Sequence, residues 1–209
     1  MKKFVLILGI ASSMFLISCS NAESNQATDE SDVQETNEEA HEIATSEEQL
    51  RVHGDLIVDA LDKADFDQLA TFVHPEKGIR FSPYVFIEEE EQLVFEAEQV
   101  RAFSNDDEVY DWGTEDGTGD TIQLTPNAYY NDYIYIRDFI ESNEVLVNDI
   151  EARGNMLMNV EEVYPEASFV SYYVPGTDVE LDWANLILAF EEVNGDWYLV
   201  GIIVDRWTT

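Results

Sequence analysis

The chain has 209 residues, with 45 Asp and Glu against 10 Lys and Arg, for a net charge of −35. Phosphate binding needs clustered Lys and Arg, so nucleic acid is not expected as a partner, and anionic lipid heads and wall polymers are disfavoured. The single cysteine, Cys19, permits no internal disulfide, so a fold must rest on a hydrophobic core, for which the length suffices.

Lys2 and Lys3 precede an uncharged, mostly apolar run from Phe4 to Ile17, and Ser18 stands just before Cys19. A positive start, a short apolar stretch and a small residue at the cut are the parts of an export signal. The run is too short to span a bilayer as a helix, which needs roughly 20 apolar residues. Leu16-Ile17-Ser18-Cys19 resembles the lipobox of bacterial lipoproteins. That resemblance implies cleavage before Cys19, a diacylglycerol thioether on its sulfur, and a place on the extracytoplasmic face of the cell membrane. Two acyl chains on one residue make a stable anchor without a transmembrane helix. The later apolar runs, Leu186 to Phe190 and Trp197 to Val204, are too short to add one.

Residues 1–18 are therefore read as a signal peptide, 19–45 as a disordered acidic tether, and 46–209 as a single domain. The tether is Glu, Asp, Ser, Asn, Thr and Gln with few large apolar residues, a composition that buries too little to offset ordering. Without the two signal lysines and the ten acids between Ser20 and Glu48, residues 49–209 still carry −27. Such charge keeps an exposed protein soluble; it would also attract cations or a basic partner.

Ser46-Glu47-Glu48-Gln49 matches a capping box and predicts a helix with Leu50, His53, Ile57 and Leu61 on one face. Asp65 with Gln68 predicts a second helix, ended by His74-Pro75-Glu76-Lys77-Gly78. Ile79 to Phe81 and Tyr84 to Ile87 read as a strand pair, or one strand kinked at Pro83, and Glu88 to Glu91 as a charged loop. Glu96 to Phe103 suits a short helix. Val109 to Trp112 and Ile122 to Leu124 suit strands, with a Gly- and Asp-rich turn between them. Thr125-Pro126 is an N-cap with Pro at the first helical position, opening a tyrosine-rich helix through Tyr133. Asn155 to Tyr164 is expected to be helical up to Pro165.

Ser168 to Val174, Leu186 to Glu192 and Trp197 to Arg206 are aromatic and β-branched strands, the last two joined by the hairpin signal Asn194-Gly195. Strict alternation in the last strand puts Trp197, Leu199 and Ile203 on one face and Tyr198, Val200, Ile202 and Val204 on the other. Both faces are apolar, so the sheet needs cover on both sides. Helices supply one; a pocket lining, or the sheet of a second copy in a homodimer, would supply the other.

Taken together, residues 60–69, residues 74–84 and the closing run 190–201 resemble the NTF2-like (cystatin-like) α+β cone, and also bacterial lipoproteins of unassigned function. The expected fold class is thus α+β: N-terminal helices on a curved antiparallel sheet, with a helical insertion over 106–166. The resemblance implies a pocket between bent sheet and first helices, used by some members for catalysis and by others for binding.

Candidate chemistry is sparse. His53 is either a pocket base or a packed histidine with a satisfied hydrogen bond. His74, at a helix end, suits a cation that offsets the helix dipole. Arg80 and Arg206, rare cations in this domain, either pair with carboxylates or bind an anionic ligand group. Tyr84 is a candidate pocket-lining residue, and Tyr133, with Tyr129 and Tyr130, is either a platform for sugar rings or core. Asp116, Thr118 and Asp120 offer oxygen ligands at alternate positions, as calcium loops do, but lack the full run and its closing Glu, so a solvated turn is the simpler reading. No cofactor is expected beyond the covalent diacylglycerol. The expected function is a non-enzymatic, membrane-anchored module that binds a small ligand or an envelope protein. The alternative is an extracytoplasmic hydrolase or isomerase that works through His53 and a carboxylate. A third reading is a purely structural or dimeric subunit.

Overall fold

The computed structural model describes residues 30–178 and 181–208, with side chains from Ser46 onward. Cys19, the expected signal peptide and the first part of the expected tether lie outside the described residues. The chain divides into two compact units, residues 1–38 and 39–209. The first is described only from Glu30, where it is helical.

Helix α1 runs Glu30–Asp62, so it begins well before Ser46, and the capping box lies inside a continuous helix. The early start has a local cause: five Glu and two Ala between Glu30 and Ala44 are strong helix formers, and propensity summed over such a window outweighs one cap signal. Residues 30–45, expected in the disordered tether, are accordingly helical. The face predicted for the second half holds. Leu50, Ile57 and Leu61 are buried, with Val58 beside them. Asp65 caps α2 (Phe66–Ala70) by accepting the Gln68 N–H at 2.9 Å.

The fold is α+β, but its main sheet is mixed. Strands β1 (Ile79–Ser82), β2 (Val94–Phe95), β5 (Glu144–Val147), β6 (Ser168–Val174), β7 (Ala184–Val193) and β8 (Asp196–Arg206) lie in the order β2-β1-β8-β7-β6-β5. The expected all-antiparallel sheet fails at β1, which runs parallel to β8 with Arg80 opposite Gly201. The chain is led into that register by the 72–74 turn, where Leu199 donates to Phe72 O and His74 donates to Leu199 O. Residues 84–87 form no strand; β2 takes the antiparallel place beside β1.

Asn194 and Gly195 both have positive φ, 57° and 91°, as a tight β7–β8 turn requires. A register shift between Ala189 and Phe190 then breaks the alternation predicted for β8. Leu199 joins Ile202 and Val204 on the helical side, while Val200 and Ile203 face the other. One extra residue in a bulge flips every side chain that precedes it.

Both faces are covered by the chain itself. Leu50, Ile57, Leu61 and Leu69 pack on Leu186, Leu188, Phe190, Ile202 and Val204. On the opposite face Val85, Ile87, Val160 and Tyr164 cover Ile187, Ala189 and Ile203. Among the described residues, both faces of β7 and β8 are thus packed within the chain.

The 106–166 insertion is less helical than expected. It holds a hairpin, β3 (Tyr110–Thr114) and β4 (Thr121–Leu124), then α4 (Pro126–Tyr129) passing into a π-turn over Tyr130–Ile134, and α5 only at Val160–Val163. Thr125 caps α4 through the Ala128 N–H, with Pro126 at the first position, as predicted. Helix α3 (Ala97–Ala102) carries a capping box at Glu96 and Gln99.

Gly54 sets how closely α1 approaches the sheet. A methyl group there would collide with the Tyr172 hydroxyl, which donates to Asp55 at 2.9 Å. Gly54→Ala is expected to lower stability by about 1–2 kcal/mol through overpacking, despite a helix-propensity gain of up to ~1 kcal/mol. Urea unfolding checks this: the double variant with Tyr172→Phe, which removes the obstructing oxygen, should regain most of the loss.

Candidate functional site

The space between helices and sheet, where a cone pocket was expected, is filled by rings. Phe95 and Trp112 stack at 5.0 Å, Trp112 and Tyr129 at 3.9 Å, and Tyr129 and Tyr133 at 5.1 Å. The Arg206 guanidinium ends this column, 5.4 Å from the Tyr133 ring centroid. Among the described residues, a void of about 10 Å³ lies among Leu61, Phe66, Phe81, Phe103, Tyr129 and their neighbours, too small for any ligand. Tyr133 is 8 % exposed and Tyr129 1 %, so the tyrosines are core, not a sugar platform.

The polar groups that do converge sit at the outer end of this column, around Glu115. Its carboxylate accepts the Tyr84 hydroxyl at 2.9 Å on one oxygen and the Tyr133 hydroxyl on the other. The residue directly follows β3, where the hairpin turns, and so ties that hairpin to the 84–87 segment and to the π-turn. Burial, then the hydrogen bond to Glu115, pushes the Tyr84 phenol up to about 12. The same causes raise Tyr133 further. The Tyr129 hydroxyl, buried and with no partner among the described residues, is raised by burial first and then by the nearby Tyr133 and Tyr84. Arg206 donates to Asp132 O at 2.9 Å and makes no ion pair among the described residues.

Glu115 separates two crevices. One, of about 360 Å³, is lined by Tyr84, Phe86, Glu88, Asp116, Met156 and the turn that follows. The other, of about 340 Å³, is lined by Thr121, Gln123, Asp132, Tyr133 and Arg206. Three of the five residues singled out as ligand-binding candidates, Tyr84, Tyr133 and Arg206, are thus brought together. Asp116, Thr118 and Asp120 lie in the adjoining turn, whose backbone is closed by Glu115 N–H to Asp120 O and Gly119 N–H to Glu115 O. Thr118 spends its hydroxyl on the Asp120 N–H at 3.2 Å. Among the described residues, no group of three or more His, Cys, Asp or Glu side chains is arranged to hold a metal ion.

The other candidates lie elsewhere. His53 donates from Nδ1 to Gln49 O in its own helix at 2.9 Å and sits edge-on to Phe72 at 6.1 Å. It is a packed histidine, and no carboxylate hydrogen-bonds its ring among the described residues. Arg80 is not a ligand-binding residue of this site either: its guanidinium donates to Glu89 O and Gln92 O, both at 2.9 Å, and holds the acidic 88–92 turn in place. His74 accepts the Glu76 and Lys77 N–H groups at Nδ1 and so ties down its own turn.

Glu115 is the functional residue that sequence reasoning missed. Nothing marks it among 45 acids: the sequence reading places it inside the Gly- and Asp-rich turn that follows the strand predicted over Val109 to Trp112. Among the described residues, no helix is long and apolar enough to cross a membrane. Comparison of the chain with protein-family models and with curated proteins gave no match.

Proposed function

We propose that this chain is an exported lipoprotein, anchored through a diacylglyceryl group on Cys19, whose α+β domain is a non-enzymatic binding module on the extracytoplasmic face of the membrane. The proposal extends to the NTF2-like relation, supported by two leading helices packed on a sheet that closes with a long hairpin. The observation that carries the mode of action is the ring-filled interior. Stacked rings occupy the space beneath the first helices, and the two crevices beside Glu115 have the volume expected of binding sites. The placement of His53 against its own helix lends no support to an acid–base pair in a cone.

Two acyl chains hold a protein on a bilayer far more firmly than one, so anchoring depends on the single sulfur. The wild-type chain should fractionate with membranes and carry the added lipid mass on the peptide that begins at Cys19. Cys19→Ala should move it wholly to the soluble fraction. A wild-type chain recovered soluble, with an unmodified thiol and an intact N-terminus, would overturn the reading.

A further inference from the structure

The crevice on the Phe86 side of Glu115 has an apolar floor under an acidic rim. Phe86 is 45 % exposed, Met156 lines the same wall, and the next residue, Leu157, is 80 % exposed. Val85 and Ile87 on either side of Phe86 are buried, so the chain there turns one aromatic ring outward between two aliphatic side chains that it packs. No Lys or Arg is among the residues that line this crevice.

Both walls are held by hydrogen bonds. Asn159 clamps the segment around Phe86: its side chain accepts the Ile87 N–H at 2.7 Å and donates to Ile87 O at 3.0 Å, while its own N–H donates to Val85 O. Across the crevice Thr114 donates to Glu88 at 3.0 Å, and Tyr84 donates to Glu115. Glu88 and Glu115 are thus fixed in place beside exposed apolar surface, which lowers the ordering cost of binding.

We propose that this crevice docks a basic segment of a partner protein, one in which a Lys or Arg adjoins an apolar side chain. The proposal rests on the binding-module reading above and names the partner chemistry. Charge complementarity selects the occupant: Glu88, Glu115 and Asp116 surround the opening, and the charge of −27 on residues 49–209 steers cations toward it and repels polyanions. A Lys or Arg side chain lays its apolar stem along Phe86 and Met156 and presents its charge to the rim, with the Phe86 and Tyr84 rings available for cation–π contact. A bare metal ion is poorly matched, because the acids here do not converge on one point.

The test titrates acetyl-Lys-Phe-Lys-amide into the full chain in detergent and maps amide shifts, with acetyl-Glu-Phe-Glu-amide and spermidine as comparison probes. The basic peptide should saturate, shift residues 84–88, 114–119 and 156–157, and weaken at least ~tenfold from low to high salt. Phe86→Ser and Asp116→Asn, both at exposed positions, should each weaken it about fivefold while leaving thermal melting unchanged. Spermidine should bind more weakly and be indifferent to Phe86→Ser. Equal binding of the acidic peptide, equal binding of spermidine, or shifts spread over the whole acidic surface would each overturn the inference. Shifts confined to Thr121, Gln123 and Arg206 would overturn it while leaving the binding-module reading standing. That reading fails separately, on the Cys19 fractionation.

Discussion

Replacing Trp112 with Ala should cost about 3–5 kcal/mol of stability, the range for removing a large buried aromatic side chain. Trp112 is 2 % exposed and touches five rings: Phe81, Phe95, Phe103, Tyr110 and Tyr129. It also donates its indole N–H to Leu124 O at 2.9 Å, which bonds β3 to the end of β4. Its loss leaves a cavity midway along the column and an unpaired carbonyl at the hairpin. Since a domain of this size is stable by only about 5–15 kcal/mol, the variant should unfold at a much lower urea concentration. Trp112→Phe should recover part of the loss, because it restores stacking but not the hydrogen bond. A Trp112→Ala variant within about 1 kcal/mol of wild type would mean that the rings are not the core they form here.

The second large effect is with pH. Burial raises the Tyr130 and Tyr164 phenols to about 12, and burial helped by Glu115 does the same for Tyr84. Burial, followed by the nearby Asp55, raises Tyr172 further. The unfolded chain ionises its tyrosines near pH ~10. A group whose folded pKa is raised contributes stability that is fully present below the unfolded value and lost as pH rises through the folded one. Stability should therefore fall from about pH 10 upward, by about 1 kcal/mol per pH unit for each buried tyrosine after allowance for partial solvent access. With several such groups the loss is cooperative, and unfolding is expected between about pH 11 and 12. Phenolate absorbance at 295 nm and far-UV circular dichroism should change together. Phenolate appearing with a midpoint near 10, while the dichroism is retained, would contradict the burial described here.

Local signals read well from sequence because each depends on a few neighbouring residues. Asp65 and Thr125 can cap a helix only by presenting a side-chain oxygen three residues ahead, and both do so. Asn194-Gly195 accepts the positive φ that a tight hairpin demands. Signals that depend on partners failed. The strand β5 had only Val145-Leu146-Val147 to mark it, and it exists because β6 offers an edge. The helical reading of 155–164 shrank to four residues because Asn159 is drawn to Ile87 and Val85.

The candidate site follows the same division. Tyr84, Tyr133 and Arg206 were legible as unusual residues, while Glu115, which joins the two tyrosines, was one acid among many.

From its order of residues alone this chain determined its acidity, its caps, its hairpin turn and the inward face of its first helix's second half, since each is settled within a few residues. The parallel pairing of β1 with β8, the bulge in β8 at Val200, the closing of the interior by stacked rings and the meeting at Glu115 were decided only by the tertiary structure. Those features bring together residues far apart in the chain, and their energies come from packing and burial that no local window contains.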